Sequence, residues 1–211
     1  MALLLWQVLL YWRFPQHKMQ KIFIITLRAL QELSEEIFSC LLQTDYPQQI
    51  YLYERRLHLQ KNKVIAAFAQ LSRVLLCRSN QPEAKQQLAQ IILLQCNKLY
   101  DLLLDCAQLR WRLTDYTALG LCSVEISGVL NALIVLFSSL KKSCLSAEQV
   151  VDINILEQKI NQLEENYQQV LQVTTPEPLV FLLFIFSLKD FSREANALID
   201  LLREAWEINL I

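Results

Sequence analysis

The chain has 211 residues, 54% of them apolar and 19% charged, with 20 basic against 21 acidic side chains and a net charge of -1. This is too apolar for a disordered chain and long enough to bury a core without metal or disulfides, and the charge balance lacks the basic footprint of a general nucleic-acid binder. Two glycines and five prolines exclude a turn-rich sheet protein, since tight turns draw on Gly and long helices need almost none, so an all-α class is expected.

Met1 to Trp12 is apolar on every face apart from Gln7, yet about 12 residues fall short of the roughly 20 that cross a bilayer. Arg13, His17, Lys18 and Lys21 follow at once. The segment reads as the end of a membrane helix whose cytoplasmic side the basic residues mark, with a core-capping helix as the alternative. It has neither the basic start nor the small-residue cleavage site of a secretory signal. Residues 1–14 are set apart as a membrane-proximal apolar helix end, and residues 15–211 as a helical bundle domain.

After Pro15, Met19, Phe23, Thr26, Leu30, Leu33, Ile37 and Cys40 step by four and three, which predicts a helix to about Leu42 with one face on a neighbour. A loop over 43–49 leads to a second helix, about Ile50 to Arg78, with Leu57, Val64, Phe68, Leu71 and Leu75 on one side. Ser79-Asn80-Gln81-Pro82 breaks it, and Pro82 suits the first turn of a third helix, carried to about Leu113 by Leu88, Ile92, Leu99, Leu102, Cys106 and Leu109. Thr117 to Leu140 is long enough to span a membrane, but Glu125, Ser123, Ser127 and Asn131 favour a buried bundle helix, with Gly120 and Gly128 admitting another backbone. Ser146-Ala147-Glu148-Gln149 has the form of a capping box. It opens a helix striped by Ile153, Leu156, Ile160, Leu163, Tyr167 and Val170. Beyond Pro176 and Pro178, a last helix starts apolar all round at LVFLLFIFSL and turns amphipathic through Phe191, Ala195, Leu198, Leu202 and Ala205. The architecture expected is a mainly antiparallel bundle of five or six long helices.

Chemistry-bearing patterns are scarce. The six cysteines fall singly in apolar helical stretches, as buried thiols of a reduced, cytosolic protein do. His17 has no ligand at helical spacing and His58 has only Glu54, four residues before it, too few for a zinc site, so no metal is expected. With Gly120 and Gly128 the only glycines, neither phosphate-loop motif can be built. Glu35, Glu36, Glu164 and Glu165 occur as neighbours without the Glu-x-x-His pattern of di-iron bundles and read as solvated charges. These absences lead to the expectation of no catalytic residue, no cofactor, no metal and no enzymatic activity. Arg55, Arg56, Lys61 and Lys63, with His58 among them, form the one basic cluster, either a contact for lipid headgroups or an acidic partner, or a solvated face. Trp111 between Arg110 and Arg112 suits an interface or a half-buried helix surface equally.

WQVLLYWRFP at the start, LRALQEL at Leu27 to Leu33, NKVIAAFAQLSRVLL at Asn62 to Leu76, NALIVLFSSL at Asn131 to Leu140 and LKDF at Leu188 to Phe191 together resemble the cytoplasmic helical region of the fusaric acid resistance (FUSC) family of aromatic acid exporters. In that family the chain leaves the inner membrane through a Trp- and Pro-containing segment and enters long helices with Arg-Ala-Leu runs. This chain is richer in Gln and poorer in Ala and Arg, and it lacks the family's transmembrane blocks, so no substrate-binding residue is carried over. The resemblance implies a domain on the cytoplasmic face of a bacterial inner membrane, assembling or gating the membrane-embedded part of the same transporter. A stand-alone helical interaction module or effector is the alternative. The apolar excess at both ends further predicts a homo-oligomer, with Trp6, Trp12, Leu179, Phe181 and Phe184 at membrane-proximal or oligomer contacts.

Overall fold

The computed structural model describes residues 15–43, 50–76, 83–112, 117–146, 151–173, 178–208 and 210. Pro15 and Pro178 each occupy the first position of a helix, where the missing N–H costs nothing and the fixed φ is already helical. Among the described residues the helices are α1 Pro15–Leu42, α2 Ile50–Leu76, α3 Glu83–Arg112, α4 Thr117–Leu121, α5 Ser123–Ser143, α6 Asn154–Val173 and α7 Pro178–Glu207. They hold 94% of the described residues, and no strand occurs among these, which settles the all-α bundle class.

Side-chain pairs give the helix directions. On α1 and α2, Glu32 meets Lys63 and Glu36 meets Arg56, so one helix rises as the other falls. Gln95 of α3 reaches Glu194 of α7, while Leu109 and Phe184 line one cleft further along, so this pair is antiparallel too. Ser192 and Phe181 of α7 meet Glu157 and Tyr167 of α6; Gly128 of α5 faces Lys159 of α6, and Leu121 faces Asn166. The long helices therefore alternate up and down. Helices α1, α5, α6, α7 and α3 pack in sequence around a ring that closes between α3 and α1, and α2 lies outside against α1 and α3. Phe38–Phe184 and Phe137–Phe191 ring contacts cross the interior at 6.0 and 6.1 Å.

One buried apolar cluster includes residues from Met19 to Leu210 and draws on every helix, so the seven helices share a single core. The predicted stripe of α1, Met19 through Cys40, is buried at all seven positions, and its Thr26 hydroxyl is satisfied by donating to the Ile22 carbonyl at 3.0 Å. Helix α5 buries Ile126, Val129, Ala132, Leu133, Leu136, Phe137 and Leu140. It is the one helix among the described residues long and apolar enough to cross a membrane by length and composition; those seven residues face the bundle, while Val124 and Val135 are exposed.

Three boundaries differ from the sequence reading. The single helix expected over Thr117 to Leu140 breaks at Cys122, whose φ of -99° and ψ of 12° leave the helical well. Gly120, a weak helix former, sits two residues before the break, and the Asn166 side-chain amide reaches the freed Leu121 carbonyl at 3.5 Å. The far end of α5 runs on to Ser143, and Ser146 donates its amide N–H to the Lys142 carbonyl as the tail of that helix rather than opening the next one. Helix α6 starts only at Asn154, where the Asp152 carboxylate accepts the Asn154 N–H at 2.9 Å. Asp152 thus does the capping that the sequence assigned to Ser146. Gly120 and Gly128 also do less than expected. A Cβ at Gly120 would meet nothing within 4 Å, and one at Gly128 would meet the flexible Lys159 stem at 3.3 Å, not another backbone.

Candidate interaction surface

Six long antiparallel helices return the chain to the pole it left. Phe184, early in α7, touches Phe38, late in α1. The 23 residues between Pro15 and Phe38 then carry the start of α1 about 35 Å toward the opposite pole. Helix α7 runs toward that side as well: Trp206, at its end, donates its indole N–H to the Ser143 carbonyl at 2.7 Å, next to Lys141, which donates to Gln31, seven residues nearer the start of α1 than Phe38. The start of α1 and the end of α7 therefore share one pole. Lys18 and Lys21 are exposed at it, while Met1 to Phe14, with Trp6 and Trp12, lie outside the described residues.

The far pole carries the start of α7, and here the sequence expectation needs correction. Phe181 is 0% exposed, its ring stacked on Tyr167 at 4.2 Å and 18°, and Phe184 packs edge-on to it at 5.8 Å. Both rings are core and cannot serve as contact residues. A helix buried on one side by α3 and α6 sends Phe181, Phe184, Ile185 and Leu188 inward. The intervening positions face solvent: Leu179, Leu183 and Phe186 are 68%, 45% and 56% exposed, stepping by four and three along one face. Beside them a cleft of about 240 Å³ runs along the α3–α7 seam, lined by Asp105, Gln108, Leu109 and Arg112 on one side and Val180, Leu183, Phe184 and Ser187 on the other. Arg112 donates to the Gln108 side chain within it. The indole of Trp111 lies outside the described side chains.

The basic cluster of α2 divides around the helix. Arg56 pairs with Glu36 at 3.1 Å and Lys63 with Glu32 at 2.8 Å, both turned toward α1. Arg55 and His58 are exposed on other sides, and Lys61 is half-buried. The four do not form one basic patch, because consecutive residues on a helix point 100° apart. The Lys63 ammonium and the Arg28 guanidinium hold the Glu32 carboxyl below its ordinary range. Nor are the paired carboxylates merely solvated: Glu36 ties α1 to α2, and Glu164 ties α6 to α7 through Lys189 at 2.7 Å. The polar link that sequence reasoning missed is at the α3–α7 seam. Buried Gln95 donates to both the carbonyl and the carboxylate of Glu194 at 2.7 Å, and Lys98 adds an ion pair at 3.3 Å. These contacts, with Arg193, hold the Glu194 carboxyl low. The only signal for it was a glutamine inside the apolar run IILLQC.

Cys40, Cys96, Cys106, Cys122 and Cys144 are buried. Burial pushes Cys96 up to about 12, with neighbouring Cys144 adding to it, Cys144 up to about 12 and Cys122 up to about 11, and it raises Cys106 as well. Thiols so raised are protonated and make poor nucleophiles or metal ligands. Among the described residues, no three His, Cys, Asp or Glu side chains group as a metal site. Two further clefts occur. One of about 330 Å³ is lined by Ser143, Val151, Leu202 and Trp206, and one of about 340 Å³, between α5 and α6, by Glu125, Gly128, Lys159 and Asn166. Glu125 keeps one carboxylate oxygen there out of solvent without a hydrogen-bond partner. No protein-family model, no curated protein and no solved structure matches the chain.

Proposed function

We propose that this bundle is the cytoplasmic domain of a FUSC-like bacterial inner-membrane exporter of aromatic or other organic acids. It acts by assembling or gating the membrane-embedded part and carries no catalytic step or cofactor of its own. The observation that carries the reading is the shared pole of the start of α1 and the end of α7. A domain inserted between two membrane-embedded halves must leave and rejoin the bilayer on one side, and an even number of antiparallel long helices achieves that. Exposed Lys18 and Lys21 at this pole, just beyond the apolar Met1 to Trp12, add the basic residues expected next to a cytoplasmic membrane surface.

The test begins with the reading frame on either side of the segment. Runs of about 20 apolar residues adjoining both ends are expected, and the whole product should fractionate with membranes and lose this domain to protease only from the cytoplasmic side. A frame without adjoining apolar runs removes the exporter reading. A stand-alone helical interaction module is then the account. One observation favours it: the apolar stretch Leu179 to Phe186 lies at the far pole, away from the start of α1, rather than gathered with it as a single membrane-attachment face would require.

A further inference from the structure

We infer that the apolar stripe at the start of α7 is a docking face for a second copy of this chain, related by a two-fold axis that crosses the α3–α7 cleft. The face has the make-up of a small interface core with a charged rim. Leu179, Leu183 and Phe186 stand out from α7 at the four-three spacing of a helix seam. The cleft beside them is open, and its floor is apolar, formed by Leu109, Val180 and Phe184.

Charge identifies the occupant. On the α3 flank of the cleft, Arg112 stands at one end and Asp105 at the other, seven residues apart and both exposed. This places opposite charges about 10 Å from each other along the seam. The midpoint between them is Gln108 and Leu109, and Leu109 lies across the cleft from Phe184. Phe184 is also the midpoint between Leu183 and Phe186 on α7. One axis, perpendicular to the helices and passing through that level, therefore serves both flanks. It sets Leu183 against Phe186 of the second copy and Arg112 opposite Asp105 of the second copy, twice, and it brings Leu179 to the level of Asp190 of the second copy, at the edge of the contact. A surface whose charges are opposite at equal distances from the centre of an apolar patch is complementary to itself, which is the requirement of an isologous contact. Asp190 and Arg193, paired to each other at 3.1 Å at the far edge of the stripe, contribute a neutral rim there.

This inference goes beyond the exporter reading and does not depend on it. The reading frame decides that one, while the association state of the chain decides this one. Sedimentation velocity on the full chain from 1 to 200 µM is expected to show a monomer–dimer equilibrium. Leu183→Glu should leave only monomer, with circular dichroism at 222 nm unchanged. Arg112→Glu and Asp105→Arg should each weaken the dimer at least tenfold, and the two together should restore it, because each reversed charge meets the other across the axis. A full chain that is monomeric throughout overturns the inference. So does association that survives Leu183→Glu, since the contact then lies on another surface. Loss of the dimer in both single charge variants without recovery in the double variant overturns the two-fold geometry.

Discussion

Replacing Phe181 by Ala separates a core residue from a contact residue more sharply than any other single change. The ring is fully buried between Tyr167, stacked at 4.2 Å, and Phe184, edge-on at 5.8 Å. Truncation removes most of the side chain from a packed interior and leaves a cavity, which for Phe costs about 3–5 kcal/mol. The loss of its two aromatic partners falls within that range. For a domain of this length each kcal/mol lowers Tm by roughly 2–4 °C, so a loss of about 4 kcal/mol corresponds to roughly 8–16 °C. Leu179, two residues earlier on the same helix but 68% exposed, is the matched control, and Leu179→Ala should stay within about 0.5 kcal/mol of the parent. Thermal melts followed at 222 nm, with urea unfolding at pH 7 as a second measure, give both numbers. If Phe181→Ala costs less than about 1 kcal/mol, or Leu179→Ala costs as much as Phe181→Ala, the inward rotation assigned to α7 is wrong.

Two other measurements address the thiols and the polar seam. With Cys96 and Cys144 pushed up to about 12, only about one thiol in ten thousand is ionised at pH 8; peptide mapping after native labelling with iodoacetamide should find Cys96, Cys106, Cys122 and Cys144 unmodified, and labelling in 6 M guanidinium should modify all four. Rapid native labelling of any of them would contradict the burial assigned to it. The Glu194 carboxyl is held below its ordinary value in the folded state, chiefly by Gln95 and then by Lys98 and Arg193, so its contribution is fully present above the unfolded carboxylate value of about 4.3 and is lost as pH falls through the lower folded value. The urea midpoint of the parent should therefore drop more steeply between pH 5 and pH 3 than that of Glu194→Gln, and parallel curves would remove Glu194 from the account of acid sensitivity.

The amino-acid sequence by itself determined the class and most of the inward faces. All seven stripe positions of α1 are buried, as are Phe191, Ala195, Leu198, Leu202 and Ala205 of α7 and Leu156, Ile160, Leu163, Tyr167 and Val170 of α6. The reason is that a helix buried on one side writes its neighbour into the spacing of its apolar residues. Where a segment is apolar all round, that spacing carries no information. LVFLLFIFSL has only Ser187, near its end, to mark the outside, so the packing of α7 between α3 and α6 decided that Phe181 and Phe184 turn inward while Leu183 and Phe186 remain exposed. Local signals also failed where a tertiary partner supplied what they lacked. The break at Cys122 is accompanied by the Asn166 amide, 45 residues away, and the start of α6 was drawn from a well-formed capping box to the plainer Asp152. The basic cluster of α2 looked like one patch because its members are close in sequence. It became two bridges to α1 and a scatter of surface charges because Glu32 and Glu36 lie opposite only Lys63 and Arg56. The direction of each helix, and with it the return of both ends of the bundle to one pole, depends on contacts between residues up to about 150 positions apart, such as Phe38 with Phe184, which no local pattern encodes.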